Sequence, residues 1–144
     1  MRPAELRLRF AGRQSALNRL LDRFHAFAAA RQLPAAAERD AHLVLDEIVS
    51  NVIRHGRVGR RAPEIEVRAT ITSDMLRIHI VDDGRAFDPL SSAPAAVIDG
   101  PPSERPIGGL GVYLTTQLMD HVEYRRTNGR NRMTLERSIA RDDE

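Results

Sequence analysis

Two short runs of strict alternation constrain this chain most. Ile65, Val67, Ala69 and Ile71 are separated by polar or charged residues, and after Thr72-Ser73-Asp74 the same period returns in Leu76, Ile78 and Ile80. A period of two sends every second side chain to one face, so the runs predict an antiparallel hairpin whose apolar face must be covered. The covers lie upstream. Leu17, Leu20, Leu21, Phe24, Phe27 and Ala28 recur at spacings of three and four, the pattern of an amphipathic helix that Pro34 brings to an end. A second helix is predicted over roughly Ala35 to His55, closed by Gly56. Ahead of both, Leu6, Leu8 and Phe10 alternate with Arg7 and Arg9 and predict a first strand.

Downstream of the hairpin the pattern stops. Five prolines and no period lie between Arg85 and Ile107, a stretch longer than the roughly 12–15 residues of an ordinary structureless connection. Loops of that length are commonly functional, and a lid over about 85–107 is expected. Gly108, Gly109 and Gly111 then open a short helix ending near Met119. Asn128-Gly129 joins two last strands that carry Val122, Tyr124, Met133, Leu135 and Ile139. The order predicts an α+β fold: a two-layer sandwich in which a mixed, mostly antiparallel sheet is covered on one face by three helices. The other face would be wet or paired with a partner.

At 144 residues and 42% hydrophobic content, the expectation is a single domain over residues 1–144. No stretch approaches the roughly 20 apolar residues of a membrane helix, and the first residues lack the apolar centre of a signal peptide. No membrane partner and a cytoplasmic location are expected. With no cysteine, disulfides and thiolate chemistry are excluded. The pI near 9.9 does not signal nucleic acid, because 22 basic residues face 20 acidic ones and every base is an arginine, which holds its charge to high pH.

Three groups of residues carry candidate chemistry. On a helical wheel at about 100° per residue, Asp46, Glu47, Ser50, Asn51, Arg54 and His55 form one polar arc, interrupted by Leu43 and opposite Val44, Leu45, Ile48, Val49, Val52 and Ile53. Solvated surface explains such an arc as well as a site does. What favours a site is Glu47 and Asn51 one turn apart, since a carboxylate can accept a hydroxyl proton and an amide oxygen can join the shell of Mg²⁺. Asp82 is in phase with Leu76, Ile78 and Ile80, so it points inward and needs a donor, either in a local turn or on a ligand. The exocyclic amine of adenine is such a donor, and Gly84 would let a flat ring approach the backbone. Gly108-Gly109-Leu110-Gly111 opens a helix, whose unpaired N–H groups suit phosphate, although a hinge would look the same.

In this order Glu47-x-x-x-Asn51, Asp82-x-Gly84 and Gly109-x-Gly111 resemble the N, G1 and G2 boxes of the Bergerat (GHKL) ATPases. Within that superfamily, DEIVSNVIRHG, VDDGRAFDP, GGLGVYLTTQLMDHVEYRR and GRNRMTLER look most like the anti-sigma-factor serine/threonine kinases of bacterial partner-switching systems. The resemblance runs from about Glu5 to Ile139. It implies a histidine-kinase-like ATPase domain with ATP and Mg²⁺ between helices and sheet. It implies Glu47 as general base, Asn51 as the Mg²⁺ ligand and Asp82 as the adenine acceptor, with Gly84 supporting the adenine pocket. Gly108, Gly109, Leu110, Gly111 and Val112 match the lid hinge and the phosphate-binding helix start. Arg105 matches a lid arginine for the γ-phosphate, and His55 and Thr134 would complete the nucleotide contacts. Ala86 stands where many members have a second glycine.

The implied activity is phosphoryl transfer to a serine or threonine of a STAS-domain anti-anti-sigma protein, by a chain that also holds a sigma factor or equivalent regulator and forms a homodimer. The alternative is an ATP-binding module that sequesters a regulator and transfers nothing. A histidine-kinase catalytic domain is the nearest structural rival, set aside because no dimerising helical region precedes Leu6.

Overall fold

The computed structural model describes residues 4–88 and 114–139. In chain order the elements are β1 (Ala4–Ala11), α1 (Gln14–Ala30), α2 (Ala35–His55), β2 (Glu64–Ile71), β3 (Met75–Asp82), β4 (His121–Thr127) and β5 (Arg130–Ser138). A short helical stretch at 114–118 precedes β4; the rest of the expected third helix lies outside the described residues, as does the lid from residue 89 onward.

The five strands form one sheet in the order β1-β2-β3-β5-β4. All four pairings are antiparallel, which corrects the expectation of a mixed sheet. The connections explain why. A single crossover helix returns the chain to the opposite end of a sheet and makes a parallel neighbour. Here β1 leaves at Ala11 and two helices bring the chain back beside it, at Glu64. The later crossover does set β4 parallel to β3, but β5 takes the place between them. At the last hairpin Asn128 and Gly129 both have positive φ, 53° and 73°. That is the pair of left-handed residues a two-residue turn with the twist of the strands requires.

One face of the sheet meets the helices. Leu17, Leu20, Phe24 and Ala28 of α1, with Ala41, Val44, Leu45, Ile48 and Val49 of α2, bury against Ile65, Val67, Ile78, Ile80 and Leu135. Each such large side chain contributes about 1.5–3 kcal/mol by leaving water. The other face is charged, with cross-strand ion pairs Arg7–Glu66, Arg68–Glu5 and Arg77–Glu136. At the far end of the core, the buried Arg137 of β5 donates from Nε to Asp40 Oδ2 of α2 at 3.0 Å, which pins the start of α2 to the sheet.

Helix α2 ends at Gly56 as expected, but not through a left-handed cap, since Gly56 has φ −86° and ψ −4°. Space decides instead: a Cβ there would stand 2.5 Å from the Val52 carbonyl oxygen and 3.0 Å from Pro63 Cγ.

Candidate functional site

The C-terminal half of α2 and the inner ends of β3 and β5 enclose a pocket lined by Ile48, Asn51, Val52, His55, Asp82, Arg85, Phe87, Tyr124, Asn131 and Met133. Its floor is apolar, and its polar atoms converge from three elements. Helical spacing aligns Asn51 and His55 one turn apart on α2. Strand alternation carries Asp82 to the same side as Ile78 and Ile80. The polar arc of α2 thus divides. Asp46 and Ser50 bond to each other at 3.3 Å on the exposed side, whereas Asn51 is buried. Glu47 is half-buried, and its Oε1 is a buried side-chain polar atom with no hydrogen-bond partner among the described residues.

Asp82 is 4% exposed. Its Oδ1 accepts from the Gly84 N–H at 2.9 Å and from Asn131 Nδ2 at 3.0 Å. Burial pushes its carboxyl above the ordinary carboxylate range, against those two hydrogen bonds and the charge of Arg126. Its neighbour shifts the other way. Burial of Asp83 is outweighed by the Glu64 N–H at 2.8 Å and by Arg61 at 3.1 Å, so its carboxyl lies below the ordinary range. One aspartate of the pair clasps the α2–β2 loop, and the other faces the pocket.

Gly84 packs behind Asp82, and the Arg85 N–H donates to the Gly56 carbonyl at 3.2 Å. The Phe87 ring stacks on His55 with centroids 4.7 Å apart and planes inclined by 19°. Asn51 Oδ1 accepts from Arg54 Nη2, so an exposed cationic side chain already sits on the oxygen expected to serve Mg²⁺. Among the described residues no cluster of three or more His, Cys, Asp or Glu forms a metal cage. Any Mg²⁺ here would depend on Asn51 together with oxygens of a phosphate ligand and water, the usual situation for this ion.

The structure therefore brings Asn51, His55 and Asp82 to one cavity, with Gly84 behind it and Glu47 one turn along α2. It does not bring Thr134. The Thr134 hydroxyl meets His79 Nδ1 at 3.2 Å on the open face of the sheet. The reason is parity: Asn131, Met133 and Leu135 of β5 are buried, so Thr134 points away. The inward position opposite Asp82 belongs to Asn131. Its shared phase with Met133 and Leu135 marks it as inward, but the pairing with Asp82 depends on how the strands are ordered. Arg105, Gly108, Gly109, Leu110, Gly111 and Val112 lie outside the described residues. Phe87 and Tyr124 also line the pocket, Arg126 bonds to Asn131 and to the Gly84 carbonyl beside it, and Arg54 bonds to Asn51. All four stand in the quoted motifs, but the motifs assign none of them a role.

The serine/threonine-protein kinase BtrW of Bordetella bronchiseptica is 28% identical over 93 residues, 65% of this chain and 65% of that protein. The serine-protein kinase RsbW of Listeria monocytogenes is 32% identical over 91 residues, 60% of this chain and 57% of RsbW. The chain spans less than two thirds of the length of these curated relatives. Among solved structures, that of the RsbU and RsbW domains of Rv1364c from Mycobacterium tuberculosis superposes with a TM-score of 0.68 at 15% identity. The superposition covers 93% of this chain and 32% of that one, and shows a shared fold. The sequence profile of the histidine kinase-like ATPase domain matches residues 10–137, spanning both helices, the Asp82 turn and most of β5, and the chain belongs to that family.

Proposed function

We propose that this chain is an ATP-dependent serine/threonine protein kinase that acts as an anti-sigma-type regulator and phosphorylates a STAS-domain antagonist. The observation that carries the reading is the Glu47 Oε1 atom, buried without a partner among the described residues, one turn from Asn51. A buried acceptor left unpaired costs about 1–3 kcal/mol, and a hydroxyl donor on a bound target would supply what it lacks. The names of the kinases BtrW and RsbW support the same reading.

In this mechanism Asp82 accepts a hydrogen bond from the adenine amine, and the apolar floor of Ile48, Val52 and Met133 takes the ring. Asn51 Oδ1 is the oxygen offered to Mg²⁺ once Arg54 turns into solvent. When bound, Mg²⁺ neutralises charge on the phosphate oxygens. Glu47 takes the proton of the target hydroxyl as its oxygen bonds to the γ-phosphorus, the bond to the bridging oxygen breaks and ADP leaves. Phosphoryl transfer depends on positioning and charge neutralisation more than on covalent help, which suits one base and one neutral ligand.

The partners proposed are a STAS-domain protein and a sigma factor or equivalent regulator held by the same chain. Phosphate adds about −1.5 to −2 charges to the antagonist, which weakens its contact with a kinase holding an anionic nucleotide. The test is incubation with Mg²⁺, ATP and a co-encoded STAS protein, followed by mass spectrometry. One phosphate on a serine or threonine supports the reading. An unmodified antagonist beside bound ATP would leave a nucleotide-binding module without transfer.

A further inference from the structure

We propose that Asn131 is a positioning residue: it orients the Asp82 carboxylate towards an amino-purine and ties it to the chain that follows. The proposal rests on the nucleotide reading above.

Asn131 is 5% exposed and stands opposite Asp82 in the β3–β5 register. Both donors of its amide are committed, one to Asp82 Oδ1 at 3.0 Å and one to the Arg85 carbonyl at 2.7 Å. Its oxygen accepts from the Tyr124 hydroxyl at 2.6 Å, Arg126 Nη1 at 3.1 Å and the Phe87 N–H at 3.4 Å. An amide has two N–H donors and one acceptor oxygen, so this side chain has no donor left for a ligand. Its role is orientation. A flipped amide would turn its NH₂ towards Arg126 and the Phe87 N–H, which are donors themselves, so these two groups enforce the observed direction.

Two consequences follow. With Oδ1 taken by Gly84 and Asn131, Oδ2 is the Asp82 oxygen left for a ligand. A carboxylate presented in that way selects a donor, such as a 6-amino group, and repels a carbonyl oxygen at the same place. The amide also holds Arg85 and Phe87, and Phe87 stacks on His55. The hydrogen bonds that aim the acceptor therefore also set the pocket wall.

The experiment is calorimetric titration of wild-type protein, Asn131→Leu and Asn131→Thr with ATP and with purine riboside triphosphate, which lacks the exocyclic amine. One hydrogen bond corresponds to roughly a tenfold preference for ATP in the wild type. Asn131→Leu should reduce that preference to below about twofold, and Asn131→Thr, which keeps a donor for Asp82, should recover part of it. A preference unchanged in Asn131→Leu overturns the proposal, as does an equal loss of affinity for both nucleotides, the signature of a purely structural residue. If Asn131→Leu does not fold, Arg126→Met removes one of the two donors that enforce the direction of the same amide. A reduced preference there supports the proposal and an unchanged one overturns it. Wild-type protein that binds neither nucleotide overturns the nucleotide reading itself and this proposal with it.

Discussion

Gly84 and Gly56 meet backbone against backbone. A Cβ on Gly84 would stand 2.4 Å from the Gly56 carbonyl oxygen, 2.9 Å from its Cα and 3.0 Å from Asp82 Oδ1. This contact lets the end of α2 and the turn after β3 approach closely enough for His55 and Asp82 to share one pocket.

Gly84→Ala therefore has no soft neighbour to displace, and the turn itself must move. The expected cost is about 1–3 kcal/mol, the usual range for overpacking, together with loss of ATP affinity. Gly129→Ala supplies the contrast. Its φ of 73° strains a side chain but nothing lies within 4 Å, so stability falls by roughly 1–2 kcal/mol with affinity kept. Urea denaturation and calorimetry on the two variants separate the cases.

Asp82→Asn should move stability and binding in opposite directions. The folded protein raises the Asp82 pKa, so between the ordinary carboxylate value and the raised one the native state holds more protons than the unfolded chain. Stability then falls as pH rises through that window, and the ionised group is a liability at neutral pH. The amide oxygen still accepts from Gly84 and Asn131. We expect a gain of about 0.5–2 kcal/mol at neutral pH, and a loss of ATP affinity of roughly 5–150-fold. Asp83, with its lowered pKa, has the reverse sign: its contribution is present above the ordinary carboxylate range and is lost as pH falls through the folded value. Thermal melts of Asp82→Asn and Asp83→Asn across acid and neutral pH check both slopes.

The Arg137–Asp40 pair lies away from the pocket, with side-chain exposures of 3% and 12%. Asp40→Ala removes a charge-assisted hydrogen bond to the buried Arg137 guanidinium and should cost about 1.5–3 kcal/mol. ATP affinity of the folded fraction should stay at the wild-type value. Chemical denaturation beside calorimetry reads the two effects independently.

What could be read from sequence was what depends on local period. The bounds of α2, Ala35 and His55, follow from its apolar spacing and from Pro34 and Gly56. The inward aim of Asp82 follows from Leu76, Ile78 and Ile80. The two positive φ values at Asn128 and Gly129 follow from the residue types that tolerate them. Relationships between distant elements were not legible. Asn131 matters because β5 inserts beside β3 and sets residue 131 against residue 82, which no local pattern reveals. Thr134, expected from the resemblance, lies one strand position out of phase. Gly56 was legible as the end of α2, but not as the space that Pro63 and Gly84 need. Arg61 gripping Asp83 from 22 residues away and Phe87 stacking on His55 belong to the same class.

The most direct test of the central claim is single-turnover transfer of labelled γ-phosphate to the STAS-domain antagonist at saturating ATP, for wild-type protein and Glu47→Gln. The isosteric amide cannot take the hydroxyl proton, so ATP affinity should be retained and the transfer rate should fall by about 10²–10⁴-fold. Transfer at the wild-type rate in Glu47→Gln would contradict the assignment of that carboxylate as the base.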